Sequence, residues 1–242
     1  SDAEGEALTA AIAALPPIPK ANHPAQGMRA EYLVTPVVFA LDRAGLDVTD
    51  AASVARELDA AARARGLAFV DAPVSGGQAG AVNGLLTVMC GGEAAHFDAM
   101  KPVAMAFSRA VTLVGASGAG QLAKMVNQIG FAGIVQSLAE AIRFAQAENL
   151  DLDKVFEAIS GGAASSWQMT NRWATMARDE FDFGLAVDLM RKDLGLAFDE
   201  ARGNGATLPV TALVDQFLAD VQGLGGGRQD PSALIRRLAK PD

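Results

Sequence analysis

Lys124, Asn127 and Gln128 lie three and four residues apart in the stretch GAGQLAKMVNQ, residues 118–128. In a helix this spacing puts all three side chains on one face. A lysine on a largely apolar helix can lose solvent, which lowers its pKa and permits proton exchange near neutral pH. The amides of Asn127 and Gln128 can hold a substrate oxygen beside it. The plainer alternative is a solvated stripe formed with Gln121. A second candidate is DAPVSGG, residues 71–77, where a strand ends in a polar glycine loop. Successive backbone N–H groups at Gly76 and Gly77 can form a concave anion site, and the Ser75 hydroxyl adds a donor. Such a loop suits a carboxylate or a phosphate; otherwise it is an ordinary turn. A third is DLMRKDL, residues 188–194, where Lys192 can reach a phosphate or a ribose, or pair with Asp188 four residues earlier.

One motif is set aside. GAGQLA at 118–123 fits G-x-G-x-x-A between a strand and a helix. A dinucleotide-binding turn also needs a second parallel strand ending in an acidic residue about 20 residues on. Glu140 falls there, but inside an uninterrupted helical pattern. The glycines are expected instead to let the chain turn tightly into the long helix.

The elements that must position these residues follow from periodicity and breakers. Short patterns suggest a helix at 4–15, stopped by Pro16, Pro17 and Pro19, and a strand at 34–41. A helix is expected at 51–65 with Gly66 as its stop, then strands at 67–73, 85–92 and 110–115. Residues 74–84 read as a glycine-rich loop, and 93–107 as one helix or two broken at Pro102. This alternation argues for an α/β layer with a largely buried sheet. After Gly118 the strands stop. One helix is expected to run to about Asn149, roughly 45 Å long. Further helices are expected at 151–160, with Asp151 as N-cap, and at 185–202, 208–222 and 231–239, with two tryptophans six apart in the segment 165–177. The expected division is an α/β part over 1–118 and an all-α part over 119–242. The long helix also carries Ile129, Ile134, Val135, Leu138 and Ile142, more apolar surface than one small domain would cover. A homodimer or homotetramer is therefore expected.

Composition excludes several classes. Half of the 242 residues are apolar, so a sizeable core can form. The net charge of −8, with no basic cluster, argues against nucleic acid and acidic membrane surfaces as partners. Cys90 is the single cysteine, and the two histidines, His23 and His96, lie far apart, so neither a disulfide framework nor a metal is expected. No apolar run approaches the roughly 18 residues that span a bilayer. The acidic start SDAEGEAL does not resemble a signal peptide, and a reducing, cytoplasmic setting is expected.

Taken together, DAPVSGG, the G-x-G-x-x-x-K-x-x-N helix and LMRKDLGLA resemble, in order and spacing, the β-hydroxyacid dehydrogenases of the 3-hydroxyisobutyrate dehydrogenase type. The resemblance runs from about Thr49 to Leu238. It implies a Rossmann-type N-terminal domain joined by one long helix to an all-α domain, and an oxidoreductase that uses NAD or NADP. It implies Lys124 as the catalytic lysine and Ser75, Gly76 and Gly77 as binders of the substrate carboxylate. Asn127 would hold the substrate with Gln128 beside it, and Thr49 and Lys192 would lie near the cofactor. Hydride would pass between a 3-hydroxy acid and its semialdehyde. The segment 161–184 looks more like bacterial members of broad or uncertain substrate. Residues 1–48 depart from the pattern: Gly5, Gly27 and Gly45 stand alone, with no G-x-G-x-x-G turn, and Val48 stands where a serine is usual. The N-terminal domain therefore reads as incomplete or altered. Two rivals are a non-catalytic helical module that has lost cofactor binding and an imine reductase; Lys124 argues against the latter.

Overall fold

The computed structural model describes residues 51–64 and 66–238. Thr49 and the elements expected at 4–15 and 34–41 lie outside the described residues. The chain forms two compact units, Ser1–Lys124 and Met125–Asp242.

In the first unit the described elements are α1 (Ala51–Arg63), β1 (Val70–Asp71), β2 (Val74–Ser75), α2 (Gly77–Val82), β3 (Leu86–Gly92), α3 (Ala94–Met105) and β4 (Ser108–Gly115). β1 and β2 both pair antiparallel with β3 and keep one register, Val70↔Gly92 and Val74↔Val88. They are two parts of one strand, interrupted at Ala72-Pro73 because proline has no N–H for the ladder. On the other side of β3, β4 runs parallel, with Val88 opposite Val111 and Cys90 opposite Leu113. A parallel pair needs a long crossover, which α3 supplies. Leu86, Val88 and Cys90 alternate inward along β3, as a strand with one core face requires. Val88, Cys90, Phe97, Ala104 and Val111 form the buried core of this unit.

Two expectations need correction here, and the alternatives at Pro102 resolve to one helix. Residues 77–82 are helical rather than loop. Gly76, at φ 127°, turns the chain, and alanines then continue it as helix formers. Pro102 does not break α3. Asp98, whose carbonyl loses its partner, is exposed and so stays hydrated. The strand expected at 67–73 is regular only at Val70–Asp71.

The helix α4 (Ala119–Ala147) begins in the first unit and enters the second, which adds α5 (Leu152–Ile159), α6 (Trp167–Ala177), α7 (Val187–Asn204) and α8 (Pro209–Gly223). Asp151 caps α5 by accepting from Asp153 N (3.1 Å) and Lys154 N (3.2 Å). Ser166 caps α6 through Met169 N (3.0 Å). The last element, Pro231–Arg237, is a 3₁₀ helix rather than the expected α-helix. Asp230 starts it by accepting from Ser232 N, while its carboxylate also pairs with Arg172. Val135, Leu138, Ala139 and Ile142 are buried at i, i+3, i+4 and i+7, the helical core spacing. They pack with Trp173, Met190, Leu194, Leu218 and Ile235. Val135, Leu138 and Ile142 are thus covered by the chain itself, so they cannot be the surplus apolar surface inferred from the sequence.

Candidate active site

Within the first unit the site is built around Asp71. Its residue is 3 % exposed, and its carboxylate accepts from the N–H groups of Gly118 (2.7 Å) and Gln121 (3.1 Å). Those groups open α4, where a helix has orphan donors and a positive dipole end. Asp71 therefore caps the long helix across 47 residues of chain. The close approach needs glycine: a Cβ on Gly120 would lie 2.5 Å from Met89 O and 2.6 Å from Asp71 Oδ2. Gly118 has φ 92°, and a Cβ there would meet Ala52 O at 2.8 Å. The GAGQLA turn is thus a seat for an internal carboxylate, and its donors are engaged. Burial pushes the Asp71 carboxyl above the ordinary carboxylate range, with the N–H groups of Gly118 and Gln121 acting the other way. The neighbouring Cys90 thiol, fully buried, is pushed up to about 11 by desolvation first and by the Asp71 charge second.

Lys124 lies one turn into the same helix. Its Nζ donates to Val74 O at 2.9 Å. Val74 immediately precedes Ser75, so Lys124 is held at the start of the Ser75-Gly76-Gly77 loop within this unit. Asp71 reaches from strand 70–75 to the start of α4, and Lys124 reaches from α4 back to the same strand, so the two are attached twice. Ser75 pairs with Thr87 across β2 and β3. Gly77, at φ 58°, has nothing within 4 Å of where a Cβ would stand, so the space over it is open.

In the second unit Asn127, Gln128 and Lys192 are joined through a residue that sequence reasoning did not single out. Asn127 Nδ2 donates to Gln128 Oε1 (2.9 Å), and Gln128 Nε2 donates to Asp193 Oδ2 (2.7 Å). Lys192 Nζ lies 3.0 Å from Asp193 Oδ1. Gln128 is 2 % exposed and packs on Met190, so it ties α4 to α7. The Lys192 side chain is 58 % exposed. It does not take Asp188 as its partner; Asp188 accepts from Gln222 Nε2. Asp71 and Asp193 are the residues that sequence reasoning passed over. The signal was an ionisable group in an apolar stretch, which must find a partner. Among the described residues no group of three or more His, Cys, Asp or Glu could hold a metal, and no helix is long and apolar enough to cross a membrane.

Comparisons with known proteins identify a family. The family model "NAD-binding of NADP-dependent 3-hydroxyisobutyrate dehydrogenase" matches residues 118–238, and "NAD binding domain of 6-phosphogluconate dehydrogenase" matches 45–115. An uncharacterized oxidoreductase of Shewanella frigidimarina is 60 % identical over 192 residues, covering 79 % of this chain and 66 % of that protein. The NAD-dependent L-serine dehydrogenase of Pseudomonas aeruginosa is 38 % identical, over 80 % of this chain and 67 % of its own. The solved 3-hydroxyisobutyrate dehydrogenase of Salmonella typhimurium superposes with a TM-score of 0.69 at 33 % identity, over 77 % of this chain and 66 % of that one. The chain thus spans about two thirds of the length of the relatives it matches.

Proposed function

Because the chain belongs to the β-hydroxyacid dehydrogenase family, a family of two-domain proteins with a Rossmann-like domain and a helical one, we propose that it interconverts a 3-hydroxy acid and its semialdehyde, with NAD or NADP as partner. Both family models describe NAD-binding segments, in keeping with that cofactor. The observation that carries the reading is the 2.9 Å bond from Lys124 Nζ to Val74 O, which holds an amine beside the Ser75-Gly76-Gly77 loop. In this reading the loop's donors receive the substrate carboxylate, with the open space over Gly77 as its seat. Lys124 takes the hydroxyl proton in oxidation and returns it in reduction, and the Val74 carbonyl orients its Nζ throughout. Asn127 holds a substrate oxygen, and Gln128 supports Asn127 from within the core.

The described residues fit the cofactor in part. The amides opening α4 are engaged by Asp71 and offer no seat to a pyrophosphate. Lys192, with a solvent-facing ammonium, would meet a ribose hydroxyl or phosphate, and Thr49 is assigned to the nicotinamide by family position alone. A bound nicotinamide would supply the hydride acceptor that no side chain here can provide. Residues 1–118 are assigned to the nucleotide and 119–242 to the substrate and to self-association. A reducing, cytoplasmic setting is part of the proposal, in keeping with the single buried, unpaired Cys90.

The candidate substrates, 3-hydroxyisobutyrate and L-serine, share a carboxylate one carbon from a hydroxymethyl group. Isobutanol is 3-hydroxyisobutyrate with a methyl group in place of the carboxylate and should not be turned over. Gly77→Ala, which puts a methyl group into the proposed seat, should raise KM for the acid. Equal rates on isobutanol and 3-hydroxyisobutyrate would remove the loop from the site.

A further inference from the structure

The bonds from Asn127 to Gln128 (2.9 Å) and from Gln128 to Asp193 (2.7 Å) have a direction, and one group sets it. A carboxylate only accepts, so Asp193 must face the NH₂ end of Gln128. Met190 Sδ, a weak acceptor 3.5 Å from the same nitrogen, favours the same orientation. An amide is planar, so committing its NH₂ end turns its carbonyl the other way. Gln128 Oε1 therefore accepts, and Asn127 must spend its own NH₂ on it. Gln128 is 2 % exposed, which leaves no room for water to offer an alternative partner. The second Asp193 oxygen is engaged by Lys192 at 3.0 Å. What remains at the end of this chain is the second hydrogen of Asn127 Nδ2 and Asn127 Oδ1, which is directed away from Gln128 and is the acceptor the side chain has to offer.

We infer that Asp193 is a positioning residue that fixes the hydrogen-bond polarity of Asn127 through Gln128, so that Asn127 presents a carbonyl oxygen and selects a ligand group that donates. The ligand half rests on the proposed role of Asn127 in holding substrate. The reacting hydroxyl gives its proton to Lys124, so the donor that Asn127 takes is a second one. In a 3-hydroxy acid that is a hydroxyl or ammonium on the carbon next to the carboxylate. Glycerate and serine carry such a group; 3-hydroxyisobutyrate has a methyl there.

The test uses an exchange of polarity between two positions. In Asp193→Asn the new amide can turn either end toward Gln128, so the direction is lost. In Asp193→Asn combined with Gln128→Glu, the acceptor-only group has moved to position 128. Asn127 must again donate, and its polarity is restored. The readout is the Asn127 side-chain NH₂ pair in ¹H–¹⁵N spectra of the labelled full chain, identified by its absence from Asn127→Asp. The wild type should show one pair with a proton protected from exchange. Asp193→Asn should lose that protection by about tenfold, the scale of one hydrogen bond, and the double variant should regain it. A signal unchanged in Asp193→Asn, or not restored in the double variant, overturns the inference. In parallel, the ratio of kcat/KM for glycerate over 3-hydroxyisobutyrate should fall about tenfold in Asp193→Asn and recover in the double variant. A merely structural role for Asp193 would lower both substrates together. If the amide signals respond as expected while the ratio stays fixed, the relay stands and the assignment of Asn127 to the substrate is wrong.

Discussion

Cys90 and Asp71 share a dry interior, and each responds to pH in a way that can be measured. The thiol titrates near 9.0 when exposed and at about 11 in the fold. Between those values the unfolded chain has released a proton that the folded chain still holds. The contribution of Cys90 is therefore complete below pH 9.0 and is lost as pH rises to about 11. About 2–3 kcal/mol should disappear over that interval, at 1.36 kcal/mol per unit. Cys90→Ala should lack this loss, so the difference in unfolding free energy between the two proteins should shrink as the solution is made alkaline. A difference independent of pH would show that the thiol is not desolvated. At this scale Lys124, Ser75, Gly76 and Gly77 were singled out by local spacing and loop chemistry, while the bond that ties Lys124 to Val74 spans 50 residues. Asp71 and Asp193 were not, because their partners lie 47 to 65 residues away. No short-range pattern announces a bond of that separation.

The joint between strand 70–75 and α4 depends on glycine, and α4 itself supplies the control. Gly120→Ala would push a methyl group against Met89 O at 2.5 Å and Asp71 O at 2.9 Å, backbone atoms that cannot swing aside. It should cost about 1–3 kcal/mol, the usual range for overpacking, read as a lowered denaturation midpoint. Gly130→Ala, further along the same helix with nothing within 4 Å, should instead stabilise by up to about 1 kcal/mol. Equal effects at the two positions would contradict the packing described. The helix start at Asp151 was legible because a capping side chain precedes an apolar period. The short helix 77–82 was hidden by its own glycines. Of the two alternatives at Pro102, the unbroken helix holds because an exposed face forgives a lost bond. At the end, Asp230 is drawn to Arg172, and the turns after it are wound as 3₁₀ rather than α.

For the whole molecule, the apolar residues that remain uncovered differ from those first singled out. Ile134 on α4 is 41 % exposed, and Val210 and Leu213 on α8 are 62 % and 55 % exposed. A Cβ on Gly133 would stand 4.0 Å from Val210 Cγ1, so α4 and α8 approach there, and their exposed apolar side chains offer a surface for self-association. A homodimer or larger assembly should use it. Light scattering at micromolar concentration should report at least a dimer, with Leu213→Glu shifted toward monomer; a monomeric wild type would contradict this. The α/β-then-α order was legible from where strands stop in the sequence. Strand direction was not, because periodicity carries no sign for parallel or antiparallel pairing. The proposed chemistry turns on the lysine held beside the glycine loop. The measurement that decides this is the rate of nicotinamide reduction with 3-hydroxyisobutyrate by the wild type and by Lys124→Ala, with unfolding followed on the same samples. A loss of at least about a hundredfold in kcat with an unchanged unfolding midpoint is expected. Near-normal turnover by a folded Lys124→Ala protein would contradict it.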